Sequence, residues 1–446
     1  MDRQNKNLKR ELLKRFTRES RASLRMNRIM LNIYQTDRLR EILFYAKSKS
    51  KWYKEKLKNV EIDMITTQNI DQYVPITNKK EFAENWEAFC TDKNLSKQGI
   101  DQFLKEIDKS RNGDEWNLYM GKYHVISSSG SSGRPGIYVY TEEEWLRHCA
   151  QYSRFINGNL KKLRVANLTV KSLLFASPRC SKTIMDGDKE YDLNEEYFGD
   201  IEMINKRLTE LNPEVLITLP SILKKLVKEV EKGNVEIQPK FIQVSAEPLN
   251  KQLKEDVKRL FDDPIINNYF AGSEGFSAFT CKADNQRMHL GEDYCMYEAV
   301  ENRLTITNLW LKTTPLIRYQ LDDEVEPKDE GRCESCGCSF RTMIEPQGRA
   351  SEDFIYENNK VITPLEMVDK MNYFPCINEY QIKQTRNGML INLAGKNLID
   401  DNNIKQSMMQ ILERKQISEA KVEVVHVDSI ERSGSGKLKQ FIKLQY

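Results

Sequence analysis

Apolar and polar residues follow two different periods along the chain. Residues 1–60 have helical spacing, with apolar positions placed among cations. Further on, short apolar runs alternate with amphipathic helical runs. The apolar runs predict strands at VLITL (215–219), in FIQVSAEPL (241–249) and in PIINNYFAGSEG (264–275), and a helix is predicted over KQLKEDVKRLF. Strands that alternate with helices predict an α/β core of parallel strands.

The pattern changes again towards the C-terminus. From about residue 300 it is rich in strands, and a domain boundary is predicted near residue 348. EYQIKQTRNGMLINLAG reads as a hairpin with Asn387-Gly388 at its turn. A helix over NIKQSMMQILERKQ and a strand at KVEVVHV follow. The prediction is a large α/β domain (1–347), with parallel sheets and a β-rich part, and a small α+β domain (348–446).

The stretch SSSGSSGRPG (127–136) permits two interpretations. Its composition is that of a flexible interdomain linker. It is not a Walker A motif, but its hydroxyls, backbone N–H groups and Arg134 also suit a phosphate-binding loop. The strand-like IYVYT follows it directly.

Composition narrows the class of protein. The chain has 446 residues and a formal net charge of +3, which gives no general case for nucleic-acid binding. The basic N-terminal segment favours a solvated helix packed on the body over a membrane-surface or nucleic-acid arm. No signal-peptide core and no apolar run near 18 residues occur, so a cytoplasmic protein without integral membrane contact is expected.

The order of five motifs carries a resemblance to a known family. SSSGSSGRPG, YFAGSEG, PLIRYQLDDEVE, GRASED and RSGSGKLKQF resemble, in this order, the motifs of the adenylate-forming superfamily. The leading helices and the phrase YAKSKSKWYKEKL resemble its phenylacetate–CoA ligase and CapK branch. The resemblance implies a large adenylation domain and a small mobile C-terminal domain, with ATP or AMP and Mg²⁺ as ligands.

The resemblance also implies roles for particular residues. Glu274 would be the magnesium-associated, catalytic carboxylate, and Asp323 would hold the ribose. Arg349 would contact ribose or phosphate, with Asp353 or Glu352 as the hinge pivot, and Lys437 would be the mobile catalytic lysine. The phosphate loop and the nucleotide and acyl pocket would comprise Ser128, Ser129, Gly130, Ser131, Ser132, Gly133, Arg134, Ser245, Ala246, Glu247, Phe270, Ala271, Gly272 and Ser273. Arg318 is expected to be structural or to face phosphate rather than to be catalytic.

The cysteines raise a separate question. Three of the nine cluster in GRCESCGCSF, which in a large cytosolic protein suggests a metal or a reactive thiol rather than disulfides. Tetrahedral zinc needs four ligands. The resemblance implies a structural zinc ion held by four of five candidates: Cys281, His289, Cys333, Cys336 and Cys338.

The expected function is ATP-dependent activation of a small carboxylic acid as an acyl-adenylate. The acyl group then passes to a thiol, either CoA or the phosphopantetheine of an acyl carrier protein. Two alternatives remain: adenylyl transfer or an amine or hydroxyl acceptor, and a nonenzymatic nucleotide-binding homologue. An aromatic acid is favoured, in a pocket lined by segments 175–187, 245–248 and 270–276, and a homodimer is the favoured assembly.

Overall fold

A computed structural model shows how the chain folds. It describes residues 3–110, 118–127, 136–154, 164–168, 190–192, 201–245, 247, 249, 251–283, 287–301, 303–325, 327–328, 331–344, 352–371, 374, 377, 379–394, 400–430 and 440–444. Within these residues, no helix is both long enough and apolar enough to cross a membrane.

Helices dominate the N-terminal part, as its spacing predicts. Those before the core sheet are α1 (Arg3–Ser23), α2 (Arg28–Lys49), α3 (Lys51–Lys56), α4 (Lys79–Glu84), α5 (Trp86–Phe89), α6 (Lys97–Ser110) and α7 (Glu142–Ser153). The later ones are α8 (Ile201–Leu211), α9 (Pro220–Glu231), α10 (Lys251–Leu260), α11 (Pro364–Met371) and α12 (Asp401–Arg414). Asn27 caps α2 by accepting a hydrogen bond from the Met30 N–H, which satisfies one open donor of its first turn.

The first strands are β1 (Thr77–Asn78), β2 (Tyr123–Ser127), β3 (Ile137–Thr141), β4 (Val165–Leu168), β5 (Glu190–Asp192), β6 (Val215–Thr218), β7 (Phe241–Ser245), β8 (Ile265–Ala271), β9 (Ser277–Thr280) and β10 (Arg287–Leu290). The remainder are β11 (Cys295–Val300), β12 (Arg303–Asn308), β13 (Tyr319–Glu324), β14 (Thr342–Ile344), β15 (Phe354–Tyr356), β16 (Lys360–Ile362), β17 (Glu379–Thr385), β18 (Gly388–Ala394), β19 (Lys421–Val427) and β20 (Phe441–Ile442). The predicted strands at 215–219, in 241–249 and in 264–275 are confirmed.

The largest sheet has eight strands in the order β14-β10-β9-β8-β7-β6-β4-β5. Its strands run parallel from β5 to β8 and antiparallel from β8 to β14. All four residues of β6 are buried, as expected of a parallel strand covered on both faces. The predicted α/β core with parallel strands is confirmed.

A second sheet packs into the same hydrophobic core as residues from both the parallel and the antiparallel parts of the first sheet. It has the order β1-β13-β12-β11, and its buried residues share one hydrophobic core with the N-terminal helices and with β2 and β3. The strands β2 and β3 form an antiparallel pair in which Ser127 lies opposite Ile137. The described residues on either side of 128–135 therefore belong to one antiparallel pair of strands, and 128–135 themselves lie outside the described residues.

The C-terminal residues form their own sheet, in the order β19-β18-β17-β20, and their own hydrophobic core. The predicted hairpin is present, but its turn lies one residue earlier, because Gly388 pairs with Thr385 inside the ladder. A Cβ at position 388 would lie 1.8 Å from the Lys421 carbonyl oxygen. This glycine is needed for the close approach of β19 rather than for the turn. The boundary near residue 348 lies outside the described residues and stays a prediction.

Candidate functional site

The carboxyl ends of two parallel strands bring the candidate nucleotide-binding residues together. Strand β7 ends at Ser245, which lies opposite Tyr269 of β8, and β8 ends at Ala271. Ligands of open α/β sheets bind at this edge, because the loops that follow the strands meet there. Phe270 is half-buried and packs on Phe276, with ring centroids 5.1 Å apart.

A tight turn, residues 272–275, follows β8 and carries Glu274. The Gly275 N–H donates to the Gly272 carbonyl over 2.9 Å, and Gly275 has a φ of +81°, which glycine adopts without strain. A Cβ on Gly272 would lie 2.4 Å from Glu274 Oε2. The missing side chain at position 272 therefore keeps this carboxylate oxygen clear.

Two neighbouring strands hold the backbone of this turn. The Tyr140 hydroxyl donates to the Ser273 carbonyl over 2.6 Å. From β12, the Asn308 amide donates to the Glu274 and Gly275 carbonyls, over 3.3 and 3.2 Å. Hydrogen bonds from two strands leave the turn little freedom, which suits a site that must present one carboxylate in one orientation.

The Glu274 side chain is buried and hydrogen-bonded. The Tyr138 hydroxyl donates to Glu274 Oε1 over 2.9 Å and lies 3.1 Å from the Tyr319 hydroxyl. Burial raises the pKa of Glu274 above its ordinary value, and the charge of Asp323 raises it further, whereas Tyr138 and Lys79 partly oppose the rise. A buried carboxylate with a neighbouring acid favours a cation at this position.

Asp323 lies on β13 and is buried, and its charge makes a small contribution to the raised pKa of Glu274. Two residues from separate motifs, Glu274 and Asp323, are therefore both buried and interact electrostatically. The Arg318 guanidinium donates hydrogen bonds to the Glu298 carboxylate and to the Val74 carbonyl. Both contacts stabilise the chain just before β13. Arg318 is a structural residue, in agreement with one of the two expectations for it.

Glu247 has a structural contact that sequence reasoning missed. Its carboxylate accepts the Ser221 N–H over 2.8 Å and the Ser221 hydroxyl over 3.1 Å. An acidic side chain there stabilises the N-terminus of α9, whose first-turn N–H groups lack helical partners. Glu247 thus joins the loop after β7 to α9.

Helix α9 in turn contacts the C-terminal part of the chain. The Lys224 ammonium donates to the Ile377 carbonyl, and Lys225 forms a 3.0 Å ion pair with Glu379 at the start of β17. Side chains of α9, β17 and β18 also line a cleft of about 230 Å³. The small C-terminal unit is therefore docked against the large one beside the loop that follows β7.

Several predicted site residues lie outside the described residues. They are Ser128, Ser129, Gly130, Ser131, Ser132, Gly133, Arg134, Ala246, Arg349 and Lys437, and segment 175–187 is among them. Glu352 and Asp353 are described and half-buried. Tyr138 and Tyr319 were not predicted. The signal for Tyr138 was the spacing of two tyrosines on one face of IYVYT, directly after the loop.

The cysteine cluster gathers four of the five predicted ligands. The ligand atoms of Cys281, His289, Cys333 and Cys336 all lie within 4.8 Å of one another. Cys281 Sγ is 3.9 Å from Cys333 Sγ, and His289 Nε2 is 3.2 Å from Cys336 Sγ. In the pairing of β9 with β10, His289 lies opposite Phe279, and the Cys281 N–H donates to the Arg287 carbonyl. Because side chains alternate along a strand, Cys281 and His289 lie diagonally on the same face of the sheet.

The fifth candidate, Cys338, is directed elsewhere. The Gly337 N–H donates to the Cys333 carbonyl over 2.8 Å, and Gly337 has a φ of +77°, so the chain reverses sharply here. Cys338 instead packs against a small hydrophobic cluster that includes Tyr269 and Phe340. Of the predicted set, Cys338 alone is outside the group of four.

The four-residue cluster has the chemistry of a zinc site. Two or three thiols with one imidazole are a common structural set for this ion. His289 Nδ1 lies 3.0 Å from the Phe340 carbonyl, the kind of second contact that orients a metal-binding imidazole through its other nitrogen. Burial raises the pKa of Cys336 to about 12, so a thiolate there requires a neighbouring cation.

Comparison with solved structures places the fold. The structure of 2-hydroxyisobutyryl-CoA ligase in its postadenylation state superposes with a TM-score of 0.71 at 14% identity, over 94% of this chain and 91% of that one. The same ligase in its thioesterification state gives a TM-score of 0.56. The anthranilate–CoA ligase in complex with anthranoyl-AMP gives 0.50 at 10% identity, over 71% of this chain and 65% of that one. The chain has the fold of the adenylate-forming acyl-CoA ligases.

Sequence comparison points to a particular branch. The chain is 24% identical over 314 residues to Protein CapK of Staphylococcus aureus, an alignment that covers 66% of this chain. It spans 63% of the length of that relative. No protein-family model matches. The fold implied by the resemblance to the adenylate-forming superfamily is confirmed, and the similarity to Protein CapK agrees with the branch that the N-terminal segment resembles.

Proposed function

We propose that the protein activates a small carboxylic acid with ATP and transfers the acyl group to a thiol. A carboxylate oxygen of the acid attacks the α-phosphorus, and the bond to the β-phosphate oxygen breaks, so that pyrophosphate leaves. The sulfur of the thiol then attacks the acyl carbon, AMP leaves with the electrons of the acyl–oxygen bond, and the thiol proton is released. CoA is the favoured acceptor, and an acyl carrier protein is the alternative.

The observation that carries this proposal is the buried Glu274 beside Asp323 at the carboxyl edge of the parallel strands. A nonenzymatic homologue would not need a carboxylate held by Tyr138 and by a turn that two strands restrain. The fold shared with acyl-CoA ligases supports the same activity. Together they favour adenylate formation over a binding function alone.

Glu274 fits a magnesium ion by its chemistry. It offers hard carboxylate oxygens, and the absence of a side chain on Gly272 avoids a clash with Oε2. Magnesium, when bound, would neutralise charge on the triphosphate. Glu274 would hold the ion, and Asp323 would accept hydrogen bonds from the ribose hydroxyls.

The loop between β2 and β3 is proposed to bind the triphosphate. The residues that flank it, Ser127 and Ile137, pair across β2 and β3. Its hydroxyls, backbone N–H groups and Arg134 are of the types that bind phosphate. Lys437 and Arg349 remain predictions from their motifs. Lys437 would stabilise the negative charge that develops during adenylation, and Arg349 would contact ribose or phosphate.

ATP–pyrophosphate exchange with a panel of aromatic and short aliphatic acids tests the proposal directly. Acid-dependent exchange is expected, followed by thioester formation when CoA or a carrier protein is added. Replacement of Lys437 by Ala should slow exchange strongly while the protein stays folded. Exchange that is absent with every acid, or unchanged in the Lys437→Ala variant, contradicts the proposal or this assignment respectively.

We also infer that Cys281, His289, Cys333 and Cys336 hold a structural zinc ion. Four protein ligands complete a tetrahedral shell and leave no position for substrate, which is typical of structural rather than catalytic zinc. Metal analysis of the purified protein should find one zinc ion per chain. A chain free of zinc after purification in zinc-supplemented buffer would contradict the inference.

A further inference from the structure

The roles proposed for Glu274 and for the 128–136 loop assign no function to Tyr138. It lies on β3, two residues after the loop, and its side chain is fully buried. Its hydroxyl is within hydrogen-bond distance of Glu274 Oε1 and of the Tyr319 hydroxyl. Because the Glu274 carboxylate accepts, Tyr138 donates to it, and the Tyr319 hydroxyl is left to donate to Tyr138.

The same hydroxyl lies against the end of the loop. A Cβ built on Gly136 would be 2.6 Å from the Tyr138 hydroxyl oxygen. Glycine at position 136 therefore lets the loop backbone pass directly over the group that holds Glu274. One phenol touches both the last residue of the loop and the carboxylate.

The ring of Tyr138 is itself fixed. It stacks on Phe82 with centroids 5.6 Å apart and an interplanar angle of 9°, and Phe82 also meets the Tyr319 ring edge-on. Phe82 is fully buried. A hydroxyl on a ring packed in this way has one position, and the carboxylate it bonds has one preferred rotamer.

We propose that Tyr138 is a positioning residue that sets the Glu274 carboxylate relative to the end of the 128–136 loop. Glu274 would hold a metal ion, and Tyr138 would keep that carboxylate in place next to Gly136. This role rests on the proposed function of Glu274 and of the loop.

The test uses Tyr138→Phe in the full chain, with Tyr53→Phe as a matched control. Tyr53 is also a buried tyrosine, and its hydroxyl donates to the Pro315 carbonyl and accepts the Ile317 N–H. Both variants keep the ring and lose one buried hydroxyl with two hydrogen bonds. A general loss of stability would appear in both.

Binding is measured without turnover. Mn²⁺ is titrated by electron paramagnetic resonance in the presence of an ATP analogue with a methylene group between the α- and β-phosphorus. Loss of a hydrogen bond to a charged group corresponds to about tenfold or more in a dissociation constant. We expect Tyr138→Phe to weaken Mn²⁺ binding by that factor and Tyr53→Phe to leave it within about twofold.

Steady-state kinetics give a second readout. Tyr138→Phe should raise the KM for the metal–ATP complex, with the KM for the acid unchanged. Equal Mn²⁺ binding in the wild type and Tyr138→Phe, or an equal loss in Tyr53→Phe, overturns the proposal. So does an absence of Mn²⁺–nucleotide binding by the wild type.

The experiments distinguish failure of the proposed reaction from failure of the positioning role of Tyr138. If no acid supports pyrophosphate exchange but Tyr138→Phe still weakens Mn²⁺ binding, the positioning role stands and the proposed reaction does not. If exchange occurs and Mn²⁺ binding is the same in both proteins, the reaction stands and the positioning role does not.

Discussion

The two ends of strand β9 carry opposite kinds of site. At one end the Glu274 turn presents a hard carboxylate, held by a tyrosine hydroxyl and with one oxygen kept clear by Gly272. At the other end Cys281 joins His289, Cys333 and Cys336 in a closed set of soft ligands. The strand between them has four residues, about 14 Å at the usual rise.

The difference lies in what each set of ligands leaves open. A lone carboxylate cannot complete the shell of a magnesium ion, so water and phosphate oxygens must supply the rest. Four thiol and imidazole ligands complete the shell of zinc and exclude substrate. We therefore expect changes at the first end to affect activity with little effect on stability, and changes at the second end to do the reverse.

The largest effect is expected for Glu274→Gln. The amide has nearly the same shape and still accepts a hydrogen bond from Tyr138, but it lacks the charge that attracts the cation. Loss of one electrostatic contact in an active site typically costs about 10²–10³ in rate. Pyrophosphate exchange should fall by about this factor, and thermal unfolding should show a midpoint near that of the wild type. A large fall in the midpoint would show that Glu274 is structural.

Replacement of Cys336 by Ser should act in the opposite way. It removes one of four ligands, so zinc content should fall well below one per chain. Stability should fall by about 3 kcal/mol or more, because metal binding contributes directly to the folded state. Metal analysis and urea unfolding measure the two effects. The remaining folded protein should keep most of its exchange activity per molecule, and loss of activity without loss of stability would contradict a structural role.

The pH dependence of stability provides a third test, through His148. Burial lowers the pKa of His148 to about 4 from an ordinary value of 6.5. Between these values the unfolded chain binds more protons than the folded one, so stability is lost as the pH falls through this window. The slope attributable to this residue is about 1.4 kcal/mol per pH unit at most.

His148 lies near the turn that carries Glu274. Its ring lies 6.0 Å from that of Tyr140, which holds the Ser273 carbonyl, and 5.5 Å from that of Trp145. His148→Phe should flatten the dependence of urea unfolding on pH between 6.5 and 4, with unchanged zinc content at pH 7. An unaltered slope would show that His148 is not buried as a neutral imidazole.

The smallest effect is expected for Cys338→Ala, which serves as the matched control for Cys336. Cys338 packs against Tyr269 and Phe340 outside the group of four, and burial raises its pKa to about 11. Its truncation removes a small side chain from a half-buried position and should cost about 1 kcal/mol or less. Zinc content should stay at the wild-type value. Loss of zinc in this variant would contradict the assigned ligands.

Much of the architecture follows from the sequence alone. The spacing of apolar residues predicts strands β6, β7 and β8 and the helices between them. A parallel strand covered on both faces must be apolar on both, so its sequence is a continuous apolar run. The order of five motifs predicted the fold that this chain shares with the solved acyl-CoA ligases. Residues Glu274 and Asp323 could be named because each lies in such a motif, directly after or within a strand.

Other features depend on the tertiary structure, because they require distant segments to meet. Composition favoured a linker at 127–136, and only the pairing of Ser127 with Ile137 shows that its ends are joined. The spacing in GRCESCGCSF left Cys333 and Cys338 as alternatives, and the sharp reversal at Gly337 decides between them. Tyr138 and Glu274 are 136 residues apart in the sequence. No local sequence pattern predicts which hydroxyl forms a hydrogen bond with a buried carboxylate so far away in the chain.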